Sequence, residues 1–531
     1  MSRCGAGAGG GKAAGGVPWR ERGSECCSRR RASWWRTTAE AQTRPSRKEA
    51  SHPIRLLTSG THPREYSAAS SIPIRLPVLR WMAHRAPCSL LALLYLLSLL
   101  SLLPSAAALS SPGSPACPAL FFELQDRLIR YARVDSQADP SSDSTPSSPG
   151  QWALLRLLHH EVSLLANESS LVEHFSLSPS GYLYIRVAPS SPAFSSCSRI
   201  AFFAHVDTAL EVPATGVSPI PHGRVSNSDL HLPGGVIPNQ RLRSLNLLNH
   251  TLVSSDGTTL LGADDKNAIA VLMSLLRSVV EERSLSHPPL TLVFSPDEEI
   301  GHMCQGLDVQ EAGFPAAAYT LDASRAGDIQ RENFNAEKVS INIEGVSIHP
   351  GSAKGILVNA LTLLADLVSR MPQALAPENS EGRDGFILPR RLAGGIAEAH
   401  SEILLRSFST TELEWMRNIV LVECQALASR EPRANITCTS STTYRNALET
   451  QRNERSFDLL RQATDIVAGS SRIGYMRGGT DGAGLATFQI PSSNLGVGYY
   501  DAHSTKELSS VDDMYTCYQV IVALLSLWVD T

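Results

Sequence analysis

The chain has 531 residues, 43% of them hydrophobic and 18% charged, with a formal net charge of −4. That length exceeds one ordinary domain, and the apolar share is enough for a packed core. The near-neutral charge lacks the basic footprint of a nucleic-acid-binding protein, so no nucleic-acid partner is expected.

Residues 1–81 are rich in Arg, Ser and Gly, with stretches such as "GAGAGGGKAAGG" and "RRRASWWR". They show no sustained hydrophobic period and cannot build a core. They read as a disordered leader or as upstream sequence wrongly joined to the protein. From Met82, "MAHRAPCSLLALLYLLSLLSLLPSAAALSS" has a basic start, a leucine-rich centre and small residues near Ala106 and Ala108. Residues 82–108 therefore read as a signal peptide, with translation starting at Met82. This implies the secretory pathway, with the protein secreted or held in a vacuolar or lysosomal lumen. If Met1 is the start, the Arg-rich leader could instead direct the chain to an organelle. A membrane association is expected only if Leu90–Leu103 is retained as an anchor, and that run is short of the ~20 residues of a span.

Beyond this segment lie Cys117, Cys197, Cys304, Cys424, Cys438 and Cys517. None forms a CxxC pair; in an oxidising lumen some could pair, and spacing does not say which. Sequons at Asn167, Asn249 and Asn435 fit a secreted glycoprotein.

Residues 110–118 and 136–150 are Ser/Pro-rich and read as linker and loop. "FFELQDRLIRYARV" and "ALLRLLHHEVSLLA" have helical period; His159 and His160, on the second, read as surface or packing residues. "SRIAFFAHVDT" is a buried-strand run, "NAIAVLMSLLRSVVEE" a helix opened by "GADDK", and "LTLVFSPDEE" the next strand. Strands alternating with helices predict an α/β fold. From about residue 336 the pattern changes: "EKVSINIEGVSI" alternates with period two, "ILVNALTLLADLVSRM" is helical, and "SEILLRSFS" is extended. This predicts an inserted α+β domain, after which "SFDLLRQATDIVAG" resumes the first pattern.

In open α/β sheets, sites form beyond the carboxyl ends of strands. Four such ends here carry acidic residues: "AHVDT" with His205 and Asp207, "LLGADDKNA" with Asp264 and Asp265, "SPDEEIG" with Asp297, Glu298 and Glu299, and "AAAYTLDAS" with Asp322. "YYDAHSTKE" adds His503 near the C-terminus. One acidic strand end is an ordinary solvated loop. Four of them with two histidines suit zinc or a similar divalent ion. Two ions would neutralise the crowd and hold a hydrolytic water, leaving one glutamate as ligand and its neighbour as base.

These segments, in this order, resemble the M20 family of metallopeptidases, and within it the tripeptide aminopeptidases. The resemblance runs from about Phe121 to the C-terminus and rests on "SSDGTTLLGADDK", "RENFNAEKVSINIEGVSIHPGSAKG" and "MRGGTDGAGLA". It implies a zinc-exopeptidase-like catalytic domain, residues 116–335 and 447–531, with a lid and dimerisation domain over 336–446. It implies two zinc ions, a small peptide substrate and a homodimer. Carried over residue by residue, His205 and Asp322 would bind the first ion, Glu299 and His503 the second, and Asp264 would bridge them. Asp207 would orient His205, and Glu298 would be the general base. Asp265 is the neighbour and not a ligand. His349 would reach the partner's site to polarise the scissile carbonyl, Arg406 would bind the substrate carboxylate, and Arg477 with the following "GGTDG" would line the substrate end. The loop after Asp322, "LDASRAGD", departs from the family's usual Asp-Gly-Gly, and residues 209–250 are hard to align. Without the resemblance, Asp297 reads as a loop or capping residue, His302 as structural, Arg406 as a strand-edge charge and His349 as a turn residue. The same site on another substrate would make a dipeptidase or aminoacylase, and an inactive binding homologue would have lost a ligand or the base.

Overall fold

A computed structural model describes residues 117–282, 284–449 and 454–530. The leader 1–81 and the segment 82–108, with Leu90–Leu103, lie outside the described residues. Among the described residues no helix is long and apolar enough to cross a membrane.

The centre is an eight-stranded sheet in the order Val172–Leu177, Leu183–Val187, Leu290–Ser295, Ile200–His205, Ala317–Ala323, Ser492–Gly496, Asp328–Asn333, Arg472–Met476. The strands Leu290–Ser295, Ile200–His205, Ala317–Ala323 and Ser492–Gly496 run parallel to one another. Every residue of "IAFFAH" and "LTLVFS" is buried, as expected of parallel strands covered on both faces. The helix Ala263–Glu281 packs on the Ile200–His205 strand and under the helices Pro118–Ala132 and Val511–Val529. It is buried almost all round, and its leucines Leu272, Leu275 and Leu276 join the core. Truncating one of these to alanine costs about 2–5 kcal/mol. Pro118–Ala132 buries Phe121, Leu124, Leu128 and Tyr131, one face at helical spacing.

A second sheet is antiparallel throughout, in the order Phe386–Gly394, Glu398–Ser407, Asn335–Glu344, Asn435–Tyr444. Its alternation is visible in the third strand: Val339, Ile341 and Ile343 are buried, while Asn342 and Glu344 are exposed. The helices Ala360–Ser369 and Thr410–Arg430 pack on this sheet and close a separate core with Leu364, Leu413, Met416 and Val420. A disulfide joins Cys424 on the longer helix to Cys438 on the edge strand, a pairing that spacing had left open. This is the inserted α+β domain. The chain enters and leaves it through adjacent segments stitched by asparagines: Asn335 accepts the Asn446 amide at 2.9 Å, and Asn333 accepts the Ala447 amide at 2.8 Å.

A third sheet, Tyr499–Tyr500, Leu508–Ser510, Thr251–Ser254 and Ile220–Arg224, bears on the site. Its first two strands are antiparallel neighbours, so the loop between them presents residues 501–507, including His503.

Candidate metal centre

Because the strands ending at Ser295, His205 and Ala323 are parallel neighbours, their carboxyl ends lie side by side. His205 is the last residue of its strand, Asp322 the second-last of its own, and Glu298 and Glu299 follow Ser295 in a turn. Asp264 arrives from another direction. Gly262 sits at φ 76°, where a Cβ would press on Thr208 and Lys266, so glycine suits the turn. Asp264 and Asp265 are non-helical and joined by a cis peptide. The regular helix starts only after both carboxylates have been set.

Two groups of side chains converge. Ligand atoms of His205, Asp264 and Asp322 lie within 4.8 Å of one another, and so do those of Asp264, Glu299 and His503. His205 Nε2 is 3.1 Å from Asp264 Oδ1. His503 Nε2 is 3.5 Å from Asp264 Oδ2 and 3.2 Å from Glu299 Oε2. Asp264 is the shared member. The first group is buried and the second partly so.

Other residues hold this set. Asp207 accepts the amides of Glu298 and Glu299 at 3.0 and 2.9 Å, with its Oδ1 3.4 Å from His205 Nδ1. Glu507, buried, accepts the amides of Leu261 and Gly262 at 2.8 Å and of Asp264 at 3.1 Å, fixing the turn that presents Asp264. Glu211 lies 3.3 Å from His503 Nδ1. Asp297 is a loop residue, but a buried one that accepts the Ser147 amide at 2.9 Å and the Gln151 side chain at 2.6 Å, anchoring the acidic turn from below.

The electrostatics describe a site short of positive charge. Burial pushes the carboxyls of Glu298, Asp265 and Asp322 well above their ordinary range, with neighbouring carboxylates adding to it. Burial also raises Glu299 and Glu507 to about 7. Hydrogen bonds to Asp264 and Glu299 raise His503 to about 11. Glu298 Oε1, Glu299 Oε1 and Asp265 Oδ1 are buried without a hydrogen-bond partner. Unpartnered buried oxygens of this kind are costly unless a cation completes them. An imidazole and carboxylates in each group are a donor set that divalent zinc or a similar ion takes, and the shared Asp264 fits two ions.

Comparison with known proteins decides the family. A family description, Peptidase family M20/M25/M40, matches residues 251–527. Peptidase T of Geobacillus kaustophilus is 32% identical over 411 residues, covering 76% of this chain and 98% of that one. The chain belongs to the M20 family of metallopeptidases. Among solved structures, a tripeptidase from Staphylococcus aureus superposes with a TM-score of 0.60 at 19% identity, over 77% of this chain and 99% of that one. A dinuclear metal-binding M20 peptidase from Bacillus subtilis superposes at 0.50 and 13% identity, over 78% and 100%. The M20 fold, an α/β catalytic part with an inserted domain, is thus shared.

The cluster also touches residues that the strand-end reading did not single out: Glu507, Asn494, Tyr499 and, named only within "GGTDG", Asp481. Asp481 lines one small cavity with His205, Asp265, Glu298 and Asp322, and accepts the Ser295 hydroxyl. The signal for Glu507 was its place four residues after His503 and that for Asp481 its place in "GGTDG"; nothing local marks Asn494 or Tyr499. His349, Arg406 and Arg477, the residues expected to meet substrate, belong to neither ligand group. His349 is exposed, and its Nδ1 accepts the Gly351 amide at 3.1 Å. Arg406 stacks over the Tyr444 ring at 5.2 Å. Arg477 donates to the carbonyls of Gly382 and Asp384 in the inserted domain, at 2.8 and 3.1 Å.

Proposed function

We propose that the chain is a dizinc aminopeptidase that removes the N-terminal residue from short peptides, tripeptides foremost. The observation that carries this reading is the pair of ligand groups sharing Asp264, with the unpartnered carboxyl oxygen of Glu298 buried beside them. The likeness to Peptidase T over three quarters of the chain supports the substrate class.

In this reading His205 and Asp322 would hold the first ion and Glu299 and His503 the second, with Asp264 contributing to both groups. Bound there, the two ions would lower the pKa of water and polarise the scissile carbonyl. Glu298 takes the proton from the attacking water and returns it to the leaving amine, as a general base and then acid. Asp207 fixes the His205 ring and, through two amides, the turn that carries Glu298 and Glu299. Arg406 takes the substrate carboxylate, and the aromatic face of Tyr444 under its guanidinium would hold it in place. Arg477 lines the substrate end from the junction with the inserted domain.

Residues 116–335 and 447–531 form the catalytic domain and 336–446 the lid and dimerisation domain. The exposure of His349 supports its service to a partner's site in a homodimer. The Cys424–Cys438 disulfide and the exposed sequon residues Asn167, Asn249 and Asn435 support a secretory compartment and a glycoprotein. A panel of di-, tri- and tetrapeptides, with and without chelator, tests the function. Release of the N-terminal residue from tripeptides, abolished by chelator, is expected. Cleavage that ignores the chelator, or that leaves the N-terminal bond intact, refutes it.

A further inference from the structure

A metal ligand is oriented by the group its other side touches. His205 has Asp207 and His503 has Glu211. Asp322 sits at the end of a buried strand, where two neutral side chains hold it. Tyr499 donates its hydroxyl to Asp322 Oδ1 at 2.9 Å and approaches the Asp322 carbonyl at 3.2 Å. Asn494 accepts the Asp322 amide at 2.7 Å and donates to its carbonyl. Asn494 thus pairs with the backbone, as a neighbouring strand would, while Tyr499 alone reaches the carboxylate.

We propose that Tyr499 is the positioning residue for Asp322, and so sets the affinity of the first ion without touching it. The inference rests on the two-ion reading given above. A phenol suits this role. It donates one hydrogen bond at neutral pH and adds no charge to a site already crowded with carboxylates. Tyr499 is buried, and the next residue, Tyr500, donates instead to Asp513. The two tyrosines therefore point their hydroxyls at different carboxylates, and only the Tyr499 hydroxyl meets a ligand candidate. The hairpin that carries Tyr499 also carries His503 and Glu507. One short segment thereby contacts Asp322 through Tyr499, Asp264 through Glu507, and the second group through His503.

The test is zinc titration of the chelator-stripped full chain against a competing chromophoric chelator, comparing wild type with Tyr499→Phe. Asp322→Asn and Glu299→Gln serve to assign the two binding constants. Wild type should bind two ions. Tyr499→Phe should weaken the constant that Asp322→Asn abolishes by about 10–100-fold, the usual effect of removing a ligand's outer partner. The constant that Glu299→Gln abolishes should stay within about threefold. 4-Aminophenylalanine at 499, which keeps a donor, should restore the first constant. If Tyr499→Phe does not fold, 4-fluorophenylalanine fills the hydroxyl's space without donating and should give the same selective loss. Equal loss of both constants, or no loss, overturns the role of Tyr499 while leaving the metal centre standing. Fewer than two ions in wild type overturns the two-ion reading itself.

Discussion

The Asp207 carboxylate accepts the backbone N–H of Glu298 at 3.0 Å, and its second oxygen accepts that of Glu299 at 2.9 Å. One buried side chain thereby spans two adjacent strand ends, fixing the turn of the acidic pair relative to His205, which is 3.4 Å away. Asp207→Asn keeps the shape but must turn an NH2 group toward one of those donors. The expected result is a stability loss of about 1–3 kcal/mol and a metal affinity reduced about 10–100-fold. Denaturant melts and metal titration of the variant check both; an unchanged affinity would show that Asp207 serves the fold alone.

Glu298→Ala should retain two metal equivalents and lose turnover by about 10²–10⁴, the contribution of a positioned general base. Elemental analysis beside steady-state kinetics separates the two effects. A metal-poor variant would move Glu298 into the ligand set.

The compartment has its own signature. Protein from its native source should begin near Leu109 and carry Cys424 and Cys438 oxidised. The bridge joins residues 14 apart, and closing a loop of that size stabilises by about 3 kcal/mol. Mass mapping of the mature chain under non-reducing conditions reads both. Finding residues 1–81 in the mature protein, or both thiols free, contradicts the secretory reading.

If His349 completes the partner's site, two inactive variants should rescue each other. In a dimer of Glu298→Ala with His349→Ala, one site lacks both groups and the other keeps both. Co-refolded in equal amounts, about half the dimers are mixed with one good site of two, so about a quarter of wild-type activity should return. No recovery after confirmed subunit exchange means that His349 acts within its own chain or not at all.

The α/β core and the main site cluster were legible because both depend on local pattern. Apolar runs that end in His205, Asp322 and the triplet after Ser295 announce strand ends, and parallel pairing of those runs brings the ends together. The period-two run from Glu337 likewise announced a separate sheet. Asp207 apart, the residues that hold the cluster were not legible, because their partners are remote: Asp297 bonds Ser147 across 150 residues, and Glu507 bonds Gly262 across 245. Asp297 reads as a loop or capping residue for that reason, and its burial is visible only once the chain has folded. Tyr499 lies in a run that reads simply as core. Arg477 illustrates another limit: a sequence match can suggest that a guanidinium lines a site, but not that backbone carbonyls of the inserted domain will engage it.

The central claim is that two ions shared by Asp264 make this chain a peptidase, and metal-dependent turnover tests it most directly. Chelator-stripped protein is titrated with zinc while N-terminal residue release from a tripeptide is followed. The account predicts no release without metal and full activity only as the second equivalent binds, with Asp264→Asn silent at every ratio. Full activity in the stripped protein, or in Asp264→Asn, would contradict it.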